Sequence, residues 1–356
     1  MSGLLDLALS RIAAVEGYRA GRSSPRAEGK LSSNESALGA APSVRSAIAA
    51  SAATVHRYPE AGELRRLVAE AAGLQSDRVV LGNGSDEICY LVATLFIGPG
   101  TRVVLSQPCY RIDEIVTRVQ LGEPEFVPLQ DGRHDIPAMA DAAAHAAVMW
   151  LPTPHNPTGT AVVPGELEWL LDNVPAECLV VLDEAYRAYV DPELRPDVQR
   201  LLERHPNLVV QRTFSKAHAL AGLRIGYALA SAEVAAAIER IRPPFNINAA
   251  GVAAACAALA DRGWSEYSVA LVRRERARLQ ALLSEIGWEH HPSQANFVTL
   301  RPPAPDRLLD ALAAESIAVR DGRDLGIEGW LRVTVGSPAQ MAVVRRTFAR
   351  HSREAA

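Results

Sequence analysis

Seven short apolar runs divide the first two thirds of the chain: Val79–Leu81, Val103–Leu105, Glu125–Leu129, Ala147–Leu151, Leu179–Asp183, Leu208–Arg212 and Ile225–Leu229. Most are apolar at successive positions, which marks strands buried on both faces. Between several of them lie alanine-rich or amphipathic stretches such as Leu64–Ala72 and Pro164–Asn173, which predict helices. Alternation of this kind predicts an α/β chain with a mainly parallel, doubly wound, seven-stranded sheet. After Pro243-Pro244 the pattern changes. A long helical stretch runs from about Ala249 to Ser284, with a break expected near Gly263, and ends at Gly287. Asn296–Leu300 and Leu331–Val335 then read as strands of a smaller α+β unit. The expected division is an N-terminal arm joined to the small domain (1–45), a large domain (46–245) and a small C-terminal domain (246–356). Within the arm, residues 23–29 read as a flexible segment and a candidate lid.

Composition narrows the function classes. A chain of 356 residues with 48% hydrophobic and 22% charged residues has the make-up of a globular enzyme with a sizeable core. A net charge of −4 gives no nucleic-acid signal. No apolar run approaches the ~20 residues of a membrane span. The first residues lack a basic region and an apolar signal core, so a cytoplasmic protein is expected. Cys89, Cys109, Cys178 and Cys256 show no metal-like pairing and read as reduced structural thiols, with Cys109 set apart by its neighbour Tyr110. His134, His145, His205, His290, His291 and His351 fall in polar or turn-like stretches and read as solvated.

The chemistry concentrates in three segments. Lys216, in Arg212-Thr213-Phe214-Ser215-Lys216, follows the apolar run Leu208-Val209-Val210. An amine becomes nucleophilic when desolvation or a nearby cation lowers its pKa. Thr213, Ser215 and Arg224, eight positions on, supply hydroxyls and a guanidinium suited to a phosphate. A phosphate beside a nucleophilic amine points to pyridoxal 5′-phosphate. Asp183 ends the run Leu179-Val180-Val181-Leu182, at the carboxyl edge where open α/β sheets bind ligands. A carboxylate there can keep a pyridine nitrogen protonated, as an electron sink requires. Pro154-His155-Asn156-Pro157-Thr158-Gly159 is a fixed turn that offers the Asn156 amide.

Taken together, these motifs resemble fold-type I pyridoxal-phosphate enzymes, and within them histidinol-phosphate aminotransferases and related aromatic aminotransferases. Leu31-Ser32-Ser33-Asn34-Glu35, Arg57-Tyr58-Pro59, Gly82-Asn83-Gly84-Ser85-Asp86-Glu87 and Pro108-Cys109-Tyr110 extend the resemblance. So do Pro244-Phe245-Asn246, Gln294-Ala295-Asn296-Phe297 and Arg332-Val333-Thr334-Val335-Gly336. The resemblance implies that Lys216 carries the cofactor as a Schiff base and shuttles a proton. By the same resemblance Asp183 binds the ring nitrogen, Asn156 and Tyr186 bind the ring oxygen, and Tyr110 stacks on the ring. Gly84, Ser85 and Asp86 hold the phosphate at a helix start with Thr213, Ser215 and Arg224. Tyr58 reaches the phosphate from the other subunit of a homodimer. Arg332 binds the substrate carboxylate and Arg320 a second anionic group. His155 and Tyr18 are further substrate candidates, while His218 replaces a packing aromatic.

The implied reaction moves an amino group between a small-molecule donor, of amino-acid or amino-alcohol-phosphate type, and a 2-oxo acid. A lyase, decarboxylase or oxidative deaminase on the same fold is the alternative. Gly82-Asn83-Gly84 lacks the third glycine of a dinucleotide fingerprint, and no spare length holds a regulatory output module.

Overall fold

The computed structural model describes residues 29–355 continuously, together with Gly3, Val15, Gly17, Gly21 and Ser24. A two-residue strand, β1 (Lys30–Leu31), comes first. Seven strands follow: β2 (Val79–Gly82), β3 (Arg102–Gln107), β4 (Glu123–Pro128), β5 (Val148–Pro152), β6 (Leu179–Asp183), β7 (Leu208–Thr213) and β8 (Gly226–Leu229). They form one sheet in the order β2-β8-β7-β6-β5-β3-β4. Only β8 runs antiparallel to its neighbours β2 and β7. The seven apolar runs are thus the seven strands of a mainly parallel sheet.

Period-two alternation explains why the runs are continuously apolar. Leu81, Met149, Leu151, Val180, Leu182 and Val210 pack into one core. Val80, Val148, Trp150, Val181 and Val209, on the opposite face, pack into another. The helices Ile136–Ala143, Pro164–Asn173 and Val198–Arg204 cover the first face. Ser85–Phe96 and Ala232–Ile241 cover the second.

The remaining strands, β9 (Glu289–His290), β10 (Phe297–Arg301), β11 (Ala318–Asp321) and β12 (Leu331–Thr334), join β1 in a second sheet ordered β1-β11-β12-β10-β9. β1 pairs with β11 in parallel, which ties the start of the described chain to this sheet. Leu279, Leu283, Leu308, Leu312, Val344 and Phe348 bring three helices onto its core.

The expected break near Gly263 lies slightly earlier. The helix Ala249–Ala260 ends at Asp261, whose carboxylate accepts from the Trp264 amide and starts the helix Arg262–Glu285. A side-chain cap on a fresh first turn stops and restarts the helix, so the glycine is not needed. Ala254, Ala255 and Ala258 of the first of these helices pack in the core of the seven-stranded sheet. Gly287, at φ 72°, follows the second and turns the chain toward β9 as its position predicted.

Candidate active site

The carboxyl ends of β5, β6 and β7 face the second sheet, and a cavity opens between them. Its lining includes Ser33, Asn34, Ser85, Asp86, Tyr110, Asn156, Asp183, Tyr186, Thr213, Ser215, Lys216, Arg224 and Arg332. Eleven of the sequence-predicted residues therefore converge on one space from distant segments. Gly84 caps the adjoining helix.

One wall has the features of an anion site. The helix Ser85–Phe96 starts here, with Gly84 as its N-cap at φ 80°. A Cβ on Gly84 would lie 2.4 Å from Arg224 Nη2, so only glycine admits the guanidinium this closely. Arg224 Nη2 donates to Asp86 Oδ2 at 2.9 Å, and the Tyr110 hydroxyl donates to Asp86 Oδ1 at 3.1 Å. Thr213 Oγ1 donates to Ser215 Oγ at 2.9 Å. A helix start, two hydroxyls and a guanidinium in one wall match a phosphate monoester in charge and donor number.

The floor carries the titratable groups. Burial raises Asp183 to about 6, against donation from the Ala185 amide to Oδ1 at 2.8 Å. A carboxylate poised in this way is stabilised by a protonated nitrogen placed in the cavity. The Tyr186 hydroxyl accepts from Asn34 Nδ2 at 2.9 Å, and burial raises its pKa. Lys216 Nζ lies 3.5 Å from the Ser33 carbonyl and 5.7 Å from the Tyr186 ring centroid. Opposite, Arg332 on β12 donates to Asn156 Oδ1 at 2.6 Å and to the Ser32 carbonyl at 3.0 Å. This donor set fits pyridoxal phosphate at each of its polar ends.

A second cavity of about 590 Å³ continues from the first and shares Tyr110, Asn156 and Arg332 with it. Arg111, Arg320 and Arg323 line it, faced by Glu114 and Asp324. Arg320 and Arg332 are register partners on β11 and β12, which sets two buried guanidinium groups side by side. Cys109 also lines this space, and burial pushes its thiol up to about 12.

Several expectations change. His155 does not line either cavity. It is fully buried, with Nδ1 2.9 Å from Thr158 Oγ1 and Nε2 3.0 Å from the Pro108 carbonyl, and burial keeps it neutral. It is therefore a scaffold residue of the turn and not a substrate contact. His134, His205 and His351 are buried rather than solvated. His218 packs tilted against Phe214 with ring centroids 5.0 Å apart. Tyr58 stands outside the cavity of its own chain, 76% exposed, and stacks on Phe245 at 4.4 Å. Tyr18 and, of the 23–29 arm, residues 23 and 25–28 lie outside the described residues.

The sequence reading assigned no role to Ser33 or Asn34. Asn34 is 2% exposed and, at φ 55°, holds both Tyr186 and Thr334. Its only local signal is a polar run after a strand too short to read.

The profile of the family described as Aminotransferase class I and II matches residues 29–348. The chain belongs to that family. Histidinol-phosphate aminotransferase 1 of Dechloromonas aromatica is 39% identical over 350 residues, covering 95% of this chain and 97% of its own. The histidinol-phosphate aminotransferase of Geobacillus thermodenitrificans is 39% identical over 332 residues, covering 91% and 90%. Among solved structures, the histidinol-phosphate aminotransferase of Sinorhizobium meliloti in complex with pyridoxal-5′-phosphate superposes with a TM-score of 0.86. It is 28% identical and covers 92% of both chains. The family resemblance read from the motifs is borne out, and this aminotransferase is pyridoxal-phosphate-dependent. Among the described residues no helix is long and apolar enough to cross a membrane, and no His/Cys/Asp/Glu group is arranged to hold a metal ion.

Proposed function

We propose that the aminotransferase acts on an amine donor whose far end carries an anion, of the histidinol-phosphate type, with a 2-oxo acid as acceptor. The observation that carries this reading is the second cavity, where Arg320 and Arg332 flank a space continuous with Lys216. Guanidinium pairs recognise phosphate and carboxylate through paired N–H donors. The curated relatives named above bear the same substrate in their names.

In this reading Lys216 would hold the cofactor covalently through its aldehyde. Asp183 holds a proton on the ring nitrogen, Asn156 and Tyr186 bind the ring oxygen, and Tyr110 covers the ring face. Gly84, Ser85, Asp86, Thr213, Ser215 and Arg224 hold the phosphate. The bound cofactor supplies an electron sink for the carbanion at the substrate Cα. Freed from the cofactor, the Lys216 amine would be the base that takes the Cα proton and hands it back in the 1,3-shift. Arg332 would orient the substrate. Tyr58 is read as a ligand of the partner subunit's cofactor, which makes the working unit a homodimer with shared sites.

A donor panel tests the substrate. With 2-oxoglutarate as acceptor, histidinol phosphate is expected to give the highest kcat/KM, above phenylalanine and tyrosine. Arg320→Leu raises KM for the phosphorylated donor more than for the aromatic ones. Equal turnover of phosphorylated and unphosphorylated donors, unchanged by Arg320→Leu, would overturn the substrate reading and leave the aminotransferase assignment standing.

A further inference from the structure

Beneath Asp183, away from the cavity, lies a second set of buried polar groups that the proposed chemistry does not use. Asp183 on β6 and Gln211 on β7 are direct register partners. Gln211 is fully buried, and its amide acts on the Asp183 carboxylate as a hydrogen-bond donor. Its Nε2 makes no hydrogen bond of ordinary length, so its N–H groups are left unpaired beside the Asp183 carboxylate. On the other side, Cys89 Sγ donates to Gln211 Oε1 at 3.4 Å and lies 3.9 Å from Asp113 Oδ1. Cys89 is on the helix Ser85–Phe96 and Asp113 on the helix Arg111–Val119, and both are buried. Four side chains from two strands and two helices thus form one file that ends at Asp183.

The file has a direction. Burial and neighbouring carboxylates push both Asp113 and Cys89 well up, so each keeps its proton. The Cys89 thiol donates to the Gln211 carbonyl oxygen at 3.4 Å, with Asp113 Oδ1 a longer acceptor at 3.9 Å, and the Gln211 N–H groups are left to face Asp183. Only this amide orientation satisfies both neighbours. Every donor then points toward Asp183, which favours its charged form in a site where burial opposes that form. A charged Asp113 would work against it by like-charge repulsion.

We propose that Gln211, oriented by Cys89, is a positioning residue that keeps Asp183 ionised so that it can hold the proton on the cofactor ring nitrogen. This rests on the reading of Asp183 as the ring-nitrogen partner. A donor bond to a charged acceptor of this kind corresponds to about a tenfold change in turnover.

The test uses holoenzyme reconstituted with pyridoxal phosphate labelled with ¹⁵N in the ring, and reads the ¹⁵N chemical shift at neutral pH. The wild type is expected to give a pyridinium-like shift. Gln211→Met, which keeps side-chain volume, is expected to move it toward neutral pyridine and to lower kcat about tenfold with little change in KM. Cys89→Ala, which frees the amide to turn, moves it in the same direction by less. It also serves if Gln211→Met does not fold. Asp183→Asn separates the two readings. If it moves the signal and both other variants leave it at the wild-type position, the Gln211 file is overturned and the role of Asp183 stands. If Asp183→Asn leaves the signal unchanged, the reading of Asp183 itself fails, and the file fails with it.

Discussion

Two buried polar clusters flank the loop from Pro152 to Thr160, and they serve opposite ends. On one side Asp183, Tyr186, Lys216 and Asn156 look into open space. On the other, the buried His134 and His155 and the half-buried His291 turn toward protein. His155 has both ring nitrogens engaged, His134 Nε2 lies 2.9 Å from the Pro152 carbonyl, and His291 stacks on Trp330 at 4.4 Å. Burial holds all three imidazoles neutral. The residue type most often sought as an acid or base is here a spacer that shapes the loop. In the proposed function the lysine and aspartate carry the chemistry, and both end at the cavity. Buried titratable groups mark function when partners are left to be supplied by a ligand, and scaffold when the fold supplies them.

Three substitutions probe that contrast. The largest effect is expected at Asp183. Asp183→Ala should cost on the order of 10³-fold in turnover, the size of a preorganised electrostatic contribution, while thermal unfolding stays near wild type. Near-wild-type turnover by the folded variant would place the ring nitrogen elsewhere.

The histidine side should respond in stability. His134 titrates near 6.5 in the unfolded chain and at about 4 when folded. The unfolded state therefore takes up a proton first as pH falls. Stability is fully present above about 6.5 and is lost progressively down to about 4, by about 3 kcal/mol for this residue. Asp183, raised to about 6, works in the opposite sense over part of the same range, so the difference between wild type and His134→Leu isolates the histidine. Urea unfolding from pH 7 to pH 4.5 should show a flatter decline in the variant. Parallel curves would mean that His134 is not held neutral by the fold.

The smallest effect is expected at Tyr58, which belongs to neither cluster of its own chain. Tyr58→Phe should weaken cofactor affinity about tenfold, the worth of a hydrogen bond to a charged group. Complementation sharpens the result. In a heterodimer of Tyr58→Phe with Lys216→Ala, a shared-site arrangement leaves one site intact with wild-type affinity. Finding only the weakened affinity in the Lys216-containing site would assign Tyr58 to its own subunit.

The large sheet was legible because its strands are buried on both faces. A short, continuous apolar run bounded by polar turns fits a buried strand and is too brief for a helix. β1 and β9 were not legible, since strands of two residues give no period to read, and β11 was not because two of its four residues, Arg320 and Asp321, are charged and no apolar run marks it. Arg320 was named without its strand for that reason. Lys216, Asp183 and Asn156 were legible as polar residues at the ends of apolar runs. Asn34 and Gln211 were not, because a buried amide looks like a surface amide until the fold shows what surrounds it. His155 misled because its neighbours in sequence line the cavity while its own ring turns toward Ser106 and Pro108.

The central claim is that this cavity carries the cofactor on Lys216. Borohydride reduction of the cofactor-loaded enzyme, followed by peptide mapping, tests it directly. The account predicts one pyridoxyl adduct, on the peptide containing Ser215-Lys216, and none in Lys216→Ala. An adduct on Lys30, or no adduct from a protein that still retains the cofactor, would contradict it.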